Sequence, residues 1–182
     1  TGLPIHGVIH SSNPTLKEAI NQANYLGANS VLHVVPYDQK LGYFENYEKT
    51  QQTIRAATSQ AEEQQVMILL ENVWATFLID PIAMGRYIDE IDSPMVGAYF
   101  DVGNVVRWGW PPHWIEVLGS RIKKLDIKEY DLKIAMNECN LLLSDSMRFI
   151  NEKRALKGQN TLSKNDGDPS YLLRKQKSYV MK

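Results

Sequence analysis

At 182 residues with 43% hydrophobic content, the chain is long enough to bury the core of a single domain, and it holds no apolar run near the ~20 residues that cross a bilayer. One cysteine, Cys139, leaves no disulfide framework and no thiolate-rich zinc site, so a cytoplasmic protein with no membrane partner is expected. The net charge of −1 hides an acidic front, ten Lys/Arg against fifteen Asp/Glu over residues 1–130, and a basic back, ten against six over 131–182. Such a front is a poor platform for nucleic acid, and no nucleic-acid partner is expected.

Residues 3–10, LPIHGVIH, alternate weakly and read as a strand over about 4–9, followed by a turn with Asn13 as helix cap ahead of Pro14. Leu16, Ala19, Ile20, Ala23 and Leu26 trace a helical stripe that stops at Gly27. SVLHVV, residues 30–35, is a second buried strand, and a long helix over 43–65 follows with Tyr47, Ile54, Ala57 and Ala61 facing inward. A third run, residues 66–71, ends abruptly in Glu71. Asp80 then caps a helix with Pro81 at its first position and Ile82, Met84, Tyr87, Ile88 and Ile91 on its apolar face. A fourth run, residues 96–101, ends in Asp101. After it come an aromatic loop, RWGWPPHW, a short helix around Trp114, Val117 and Leu118, and a fifth run, 122–127, with Asp126 near its end. Beyond Asp131 the chain turns polar and basic, with one amphipathic stretch, 140–157, through Leu141, Met147, Ile150 and Leu156. Residues 1–137 therefore read as the folded domain and 138–182 as a divergent basic tail.

Regular alternation of strands and helices with short connections predicts an α/β fold with a parallel sheet. Glu71, Asp101 and Asp126 are separated by 30 and 25 residues, about one βα repeat each, so three successive strands deliver a carboxylate to one end of the sheet. In a β/α barrel that end carries the chemistry. Three converging carboxylates repel one another unless a divalent cation or a shared proton offsets the charge, and an all-oxygen set favours Mn²⁺ or Mg²⁺ over a nitrogen-loving ion. The competing account is that these acids cap helices or pair with lysines, Asp126 with Lys123, Lys124 or Lys128. Around them, Asn72 and Asn104 carry amides that orient carboxylates or satisfy loop backbone. His6, His10 and His33 lie near the ends of the early strands, within reach of substrate hydroxyls or else simply packed. Trp74, Trp108 and Trp110 read as walls of a small polar pocket or as ordinary packing. Lys128 and Glu129 are neighbours at the mouth and cannot both point inward. The expected substrate-binding set is His6, Trp74, Asn104, Trp108 and Lys128.

At ENV, YFDVGN and KKLDIKEY the sequence resembles the xylose isomerase-like barrel superfamily, in particular its sugar phosphate isomerases and epimerases, with hydroxypyruvate isomerases, tagatose epimerases and inosose dehydratases as relatives. The resemblance implies a TIM-type barrel whose fifth to eighth strands end in acids or histidines that hold a divalent ion such as Mn²⁺, Mg²⁺, Co²⁺ or Zn²⁺. By position, Glu71 corresponds to the fifth-strand ligand, Asp101 to the sixth, and Asp126 to a place where many relatives carry a histidine. The first strand seen here would be the family's third, and the glutamate expected on the eighth has no counterpart after Asn137. The expectation is thus a partial barrel with about five of eight strands, an open arc whose exposed edges favour association into a homo-oligomer, and an irregular tail.

The function this implies is metal-dependent isomerisation or epimerisation of a small sugar, sugar phosphate or hydroxy-keto acid by proton transfer through an enediolate, with Glu71 as catalytic base and Glu71, Asp101 and Asp126 as metal ligands. The alternatives are a non-catalytic barrel fragment acting as an interaction module and, on the same fold, an abasic-site endonuclease, which calls for a histidine-rich zinc site and a basic groove.

Overall fold

The computed structural model describes residues 2–10, 15–74, 77–106 and 109–128. The chain divides into two units at residues 129 and 130, and every described residue belongs to the first. The amphipathic stretch 140–157 and the domain boundary at 137 lie outside the described residues.

Five strands, β1 (Val8–His10), β2 (Ser30–His33), β3 (Met67–Glu71), β4 (Val96–Asp101) and β5 (Ile122–Asp126), form one sheet in sequential order, and every neighbouring pair is parallel. Helices α1 (Leu16–Tyr25), α2 (Tyr43–Gln64), α3 (Pro81–Ile91), α4 (Val102–Val106) and α5 (Pro111–Leu118) alternate with them. This is an α/β partial TIM barrel. Among the described residues β1 and β5 are the outer strands.

Register assigns each face. Val31 pairs with Ile68 and Leu70 with Ala98, and these residues, with Phe100, join one buried cluster with Ile20, Ile54, Ala61, Tyr87 and Leu118 from the helices. Side chains alternate along a strand, so Leu69, Glu71, Tyr99 and Asp101 point to the opposite, inner face. Gly97 is required on that face, where β4 and β5 slip register between Ala98 and Tyr99. A Cβ there would stand 2.6 Å from Lys123 Cγ and 2.9 Å from the Arg121 carbonyl oxygen.

Three expectations at the helices are corrected. The cap of α1 is Thr15, not Asn13: its hydroxyl accepts the Glu18 N–H at 3.3 Å while Glu18 Oε2 accepts the Thr15 N–H at 2.8 Å. That reciprocal pair satisfies two helix-end donors at once. Leu26, expected in the α1 stripe, is the C-cap and largely exposed. Ile82, expected on the apolar face of α3, is 69% exposed, because it lies two residues, about 200° of helix, from Met84, which is buried with Tyr87, Ile88 and Ile91. Asp80 does cap this helix, accepting from Ile82 N and Ala83 N, with Pro81 beginning it.

Candidate metal centre

Glu71 ends β3, Asp101 ends β4 and Asp126 ends β5, so the parallel ladder carries all three to its C-terminal edge. Asp101 and Asp126 are register partners. One carboxylate oxygen from each of the three lies within 4.8 Å of the others. Oxygen ligands sit about 2.0–2.6 Å from a hard divalent ion, so oxygens sharing one ion are at most about 4–5 Å apart, which these satisfy. Among the described residues no histidine or cysteine joins them, and the all-oxygen set suits a hard cation.

Crowding marks the electrostatics. The Glu71 carboxyl is pushed up to about 7, first by burial, then by the charge of Asp101 and a hydrogen bond with it, with Asp126 adding to the rise and the Lys128 ammonium opposing it. Asp101 is fully buried. Its Oδ1 accepts the Asn104 N–H at 2.8 Å. Its Oδ2 forms an ion pair with Lys128 Nζ and makes no hydrogen bond of good geometry. That ion pair holds the lysine above its ordinary pKa. A buried carboxylate oxygen without a hydrogen bond is costly, and a cation among the three acids would satisfy it and relieve their repulsion.

The loops behind the carboxylates interlock. Asn72 Nδ2 donates to the Asp101 carbonyl at 2.8 Å and Asn72 Oδ1 accepts the Asp101 N–H at 2.8 Å. In return, Asn104 Nδ2 donates to the Asn72 carbonyl at 2.9 Å and reaches Glu71 Oε1 at 3.5 Å. Asn104 sits on α4, a short helix that follows Asp101 directly. Trp74 Nε1 donates to the Asn104 carbonyl at 3.0 Å, with the side chain half exposed beside the site. Sequence reasoning raised both asparagines singly and missed their exchange; the spacing of Asn104 three residues after Asp101 was the available signal, as in an N-cap.

The structure does not bring His6 to the carboxylates. His6 precedes β1, and its carbonyl accepts from Ser30 Oγ at 3.2 Å at the start of β2, so it lies at the N-terminal end of the sheet. Lys124 also points there, bonding Asn29 Oδ1 at 2.8 Å and Ser30 Oγ at 2.7 Å and contacting the His6 carbonyl; it therefore does not neutralise Asp126. His10 and His33 stand at the C-terminal ends of β1 and β2 as register partners, on the helix-facing side of the sheet, with their Nδ1 atoms 2.9 Å apart. Trp110 is exposed. Trp108 and Glu129 lie outside the described residues. A small recess beside the carboxylates is bordered by Asn72, Val73, Asn104 and Trp114.

A family model described as xylose isomerase-like TIM barrel matches residues 12–148. No curated protein sequence matches the chain. Among solved structures it is similar to a xylose isomerase-like TIM barrel protein from Mycobacterium smegmatis in complex with magnesium, at 17% identity and a TM-score of 0.60, over 71% of this chain and 53% of that one. It is also similar to a D-tagatose 3-epimerase-like protein, at 25% identity and a TM-score of 0.54, over 64% and 48% of the two chains. The probable 3-DHS dehydratase of petrobactin synthesis from Bacillus anthracis aligns at 16% identity and a TM-score of 0.56, over 71% and 53%. The chain thus spans about half the length of these proteins. No helix among the described residues is long and apolar enough to cross a membrane. With five parallel strands, three of which carry an acid to one edge, and with a family match over most of its length, the chain belongs to the xylose isomerase-like TIM barrel family.

Proposed function

We propose that the chain carries the metal centre of a divalent-metal-dependent isomerase or epimerase acting on a small sugar, sugar phosphate or hydroxy-keto acid. The observation that carries this reading is the convergence of Glu71, Asp101 and Asp126 within 4.8 Å at the edge of the sheet where β/α barrels do chemistry. Glu71, Asp101 and Asp126 hold the ion, Mn²⁺ or Mg²⁺ by their oxygen donors. When bound, the ion supplies Lewis-acid stabilisation of negative charge on a substrate oxygen.

The residues divide the remaining work. Glu71 is half-buried on the inner face and takes the proton next to the substrate carbonyl. Asn72 and Asn104 fix the two strand ends relative to one another, which keeps the base and the ligands in one geometry. Trp74 and Lys128 border the open side, where an indole packs on a sugar face and an ammonium suits hydroxyls or an anionic substituent. The experiment is proton exchange: with Mn²⁺ and candidate ketoses or hydroxy-keto acids in D₂O, NMR should show loss of the α-proton signal of one substrate class. No exchange with any member, in a protein that binds Mn²⁺, would contradict the catalytic reading.

A further inference from the structure

Lys128 occupies an unusual place for a lysine whose side chain is 43% exposed. Rather than extending into water, it folds back over α4 and sets its ammonium on Asp101 Oδ2. Its stem lies flat against Gly103, where an added Cβ would stand 2.6 Å from Lys128 Cγ, 3.1 Å from Cε and 3.3 Å from Cδ. Gly103 lies in helical backbone and needs no left-handed conformation, so its missing side chain serves the lysine stem. The contacted oxygen is the one left over at Asp101, since Asn104 N–H holds Oδ1 and Oδ2 has no hydrogen bond of good geometry.

We propose that Lys128 is the resident cation of the carboxylate centre, seated in a slot made by Gly103, and that a divalent ion must displace it from Asp101 in order to bind. This rests on the reading of Glu71, Asp101 and Asp126 as a metal centre. Asp101 is fully buried and fixed at its backbone by Asn72, whereas Lys128 has solvent on one side, so the lysine is the partner that leaves. If Asp101 Oδ2 held both an ammonium and a doubly charged ion, the two cations would stand a few ångströms apart, and their repulsion favours release of the lysine. Without metal, the ammonium offsets part of the repulsion among the three acids and keeps their geometry. The displaced lysine then stands free at the mouth of the site. The device makes the centre selective for charge: a monovalent ion gains too little from the carboxylates to evict a cation of equal charge.

The inference predicts that deleting a positively charged residue improves metal binding. Apparent affinity falls by the fraction of molecules whose site is open; if Lys128 holds Asp101 in about nine-tenths of them, Lys128→Met should bind Mn²⁺ about tenfold tighter than the wild-type chain in calorimetric titration. Removing a nearby charge could do this without any seat, so Gly103→Ala is the second variant. It keeps the charge, fills the slot, and should also tighten Mn²⁺ binding while its far-UV circular dichroism matches wild type. As an independent readout, the methyl-carbon NMR signal of reductively methylated Lys128, assigned by its loss in Lys128→Met, should move to the position of a solvated lysine on saturation with Mg²⁺. Equal or weaker binding in Lys128→Met, unchanged binding in folded Gly103→Ala, or a lysine signal that stays in place at saturating Mg²⁺ would each overturn the proposal. If neither the wild type nor Lys128→Met bound Mn²⁺, the metal-centre reading would fall with it; if both bound it equally, that reading would stand and the resident-cation proposal alone would fail.

Discussion

The side chain of Asn72 takes both backbone hydrogen-bonding groups of Asp101, donating to its carbonyl and accepting its N–H, each at 2.8 Å. The β3–β4 ladder ends at Glu71 and Tyr99, so the amide continues strand pairing by side chain beyond the last rung. Asn72 and Asp101 are both buried, and truncation would strand the two Asp101 groups away from water. Asn72→Ala should therefore cost about 2–3 kcal/mol, read as a lowered midpoint in urea unfolding, and should weaken Mn²⁺ binding by about tenfold or more because a ligand loses its support. An unchanged midpoint would show that the loop relaxes without this clamp.

Much of this geometry was legible in the sequence because its signals are periodic. MILL-Glu71 and VGAYF-Asp101 are short apolar runs that end in an acid, and a parallel ladder leaves such residues at one edge. The structure places their ends at Glu71 and Asp101 as read. Less legible was whatever depended on phase near an element's end. Leu26 and Ile82 are apolar, yet the first is a cap and the second is out of phase with Met84. Thr15 lost to Asn13 because the Asn-Pro pair is a strong turn signal, although Thr15 with Glu18 three residues on is the pattern of a capping box. His6 was placed by sequence proximity to a strand end, which does not say which end; it lies ahead of β1, on the side of the sheet's N-terminal edge. The Asn72–Asn104 exchange and the Lys128 seat depend on contacts between segments about 30 residues apart, which no local pattern encodes.

His33 offers a pH test in the helix-facing layer. Burial, and secondarily the charge of His10, lower its pKa from 6.5 to about 4. Its folded pKa lies below the unfolded one, so between those values the unfolded chain binds more protons. The neutral-His33 contribution is complete above about pH 6.5 and is lost as pH falls to about 4. Its size is on the order of 3 kcal/mol, taking 1.36 kcal/mol per unit. In an NMR titration the His33 C2 proton should move near pH 4, and since burial is the larger cause, the pKa should stay well below 6.5 in His10→Ala. A His33 titrating near 6.5 would contradict this account.

Catalysis should separate into exchange and turnover. Glu71 is present to remove a proton, while among the described residues no second glutamate joins the carboxylate cluster. Returning a proton to another carbon or face calls for a second placed group. The chain with Mn²⁺ should thus exchange a substrate α-proton with D₂O while forming little isomerised product, and Glu71→Gln should lose the exchange. Robust product formation would mean that another residue completes the pair; exchange that survives in Glu71→Gln would assign the base elsewhere.

The central claim is that Glu71, Asp101 and Asp126 form one divalent-metal site, and a Mn²⁺ titration of the wild-type chain beside Asp101→Asn tests it most directly. Asn keeps an oxygen to accept the Asn104 N–H and preserves size, so the fold should survive, as circular dichroism would check. The account predicts a single Mn²⁺ site per chain, followed by calorimetric heat or the electron paramagnetic resonance of free ion, whose affinity falls by at least about tenfold in Asp101→Asn. Equal Mn²⁺ affinity in the two proteins would contradict it.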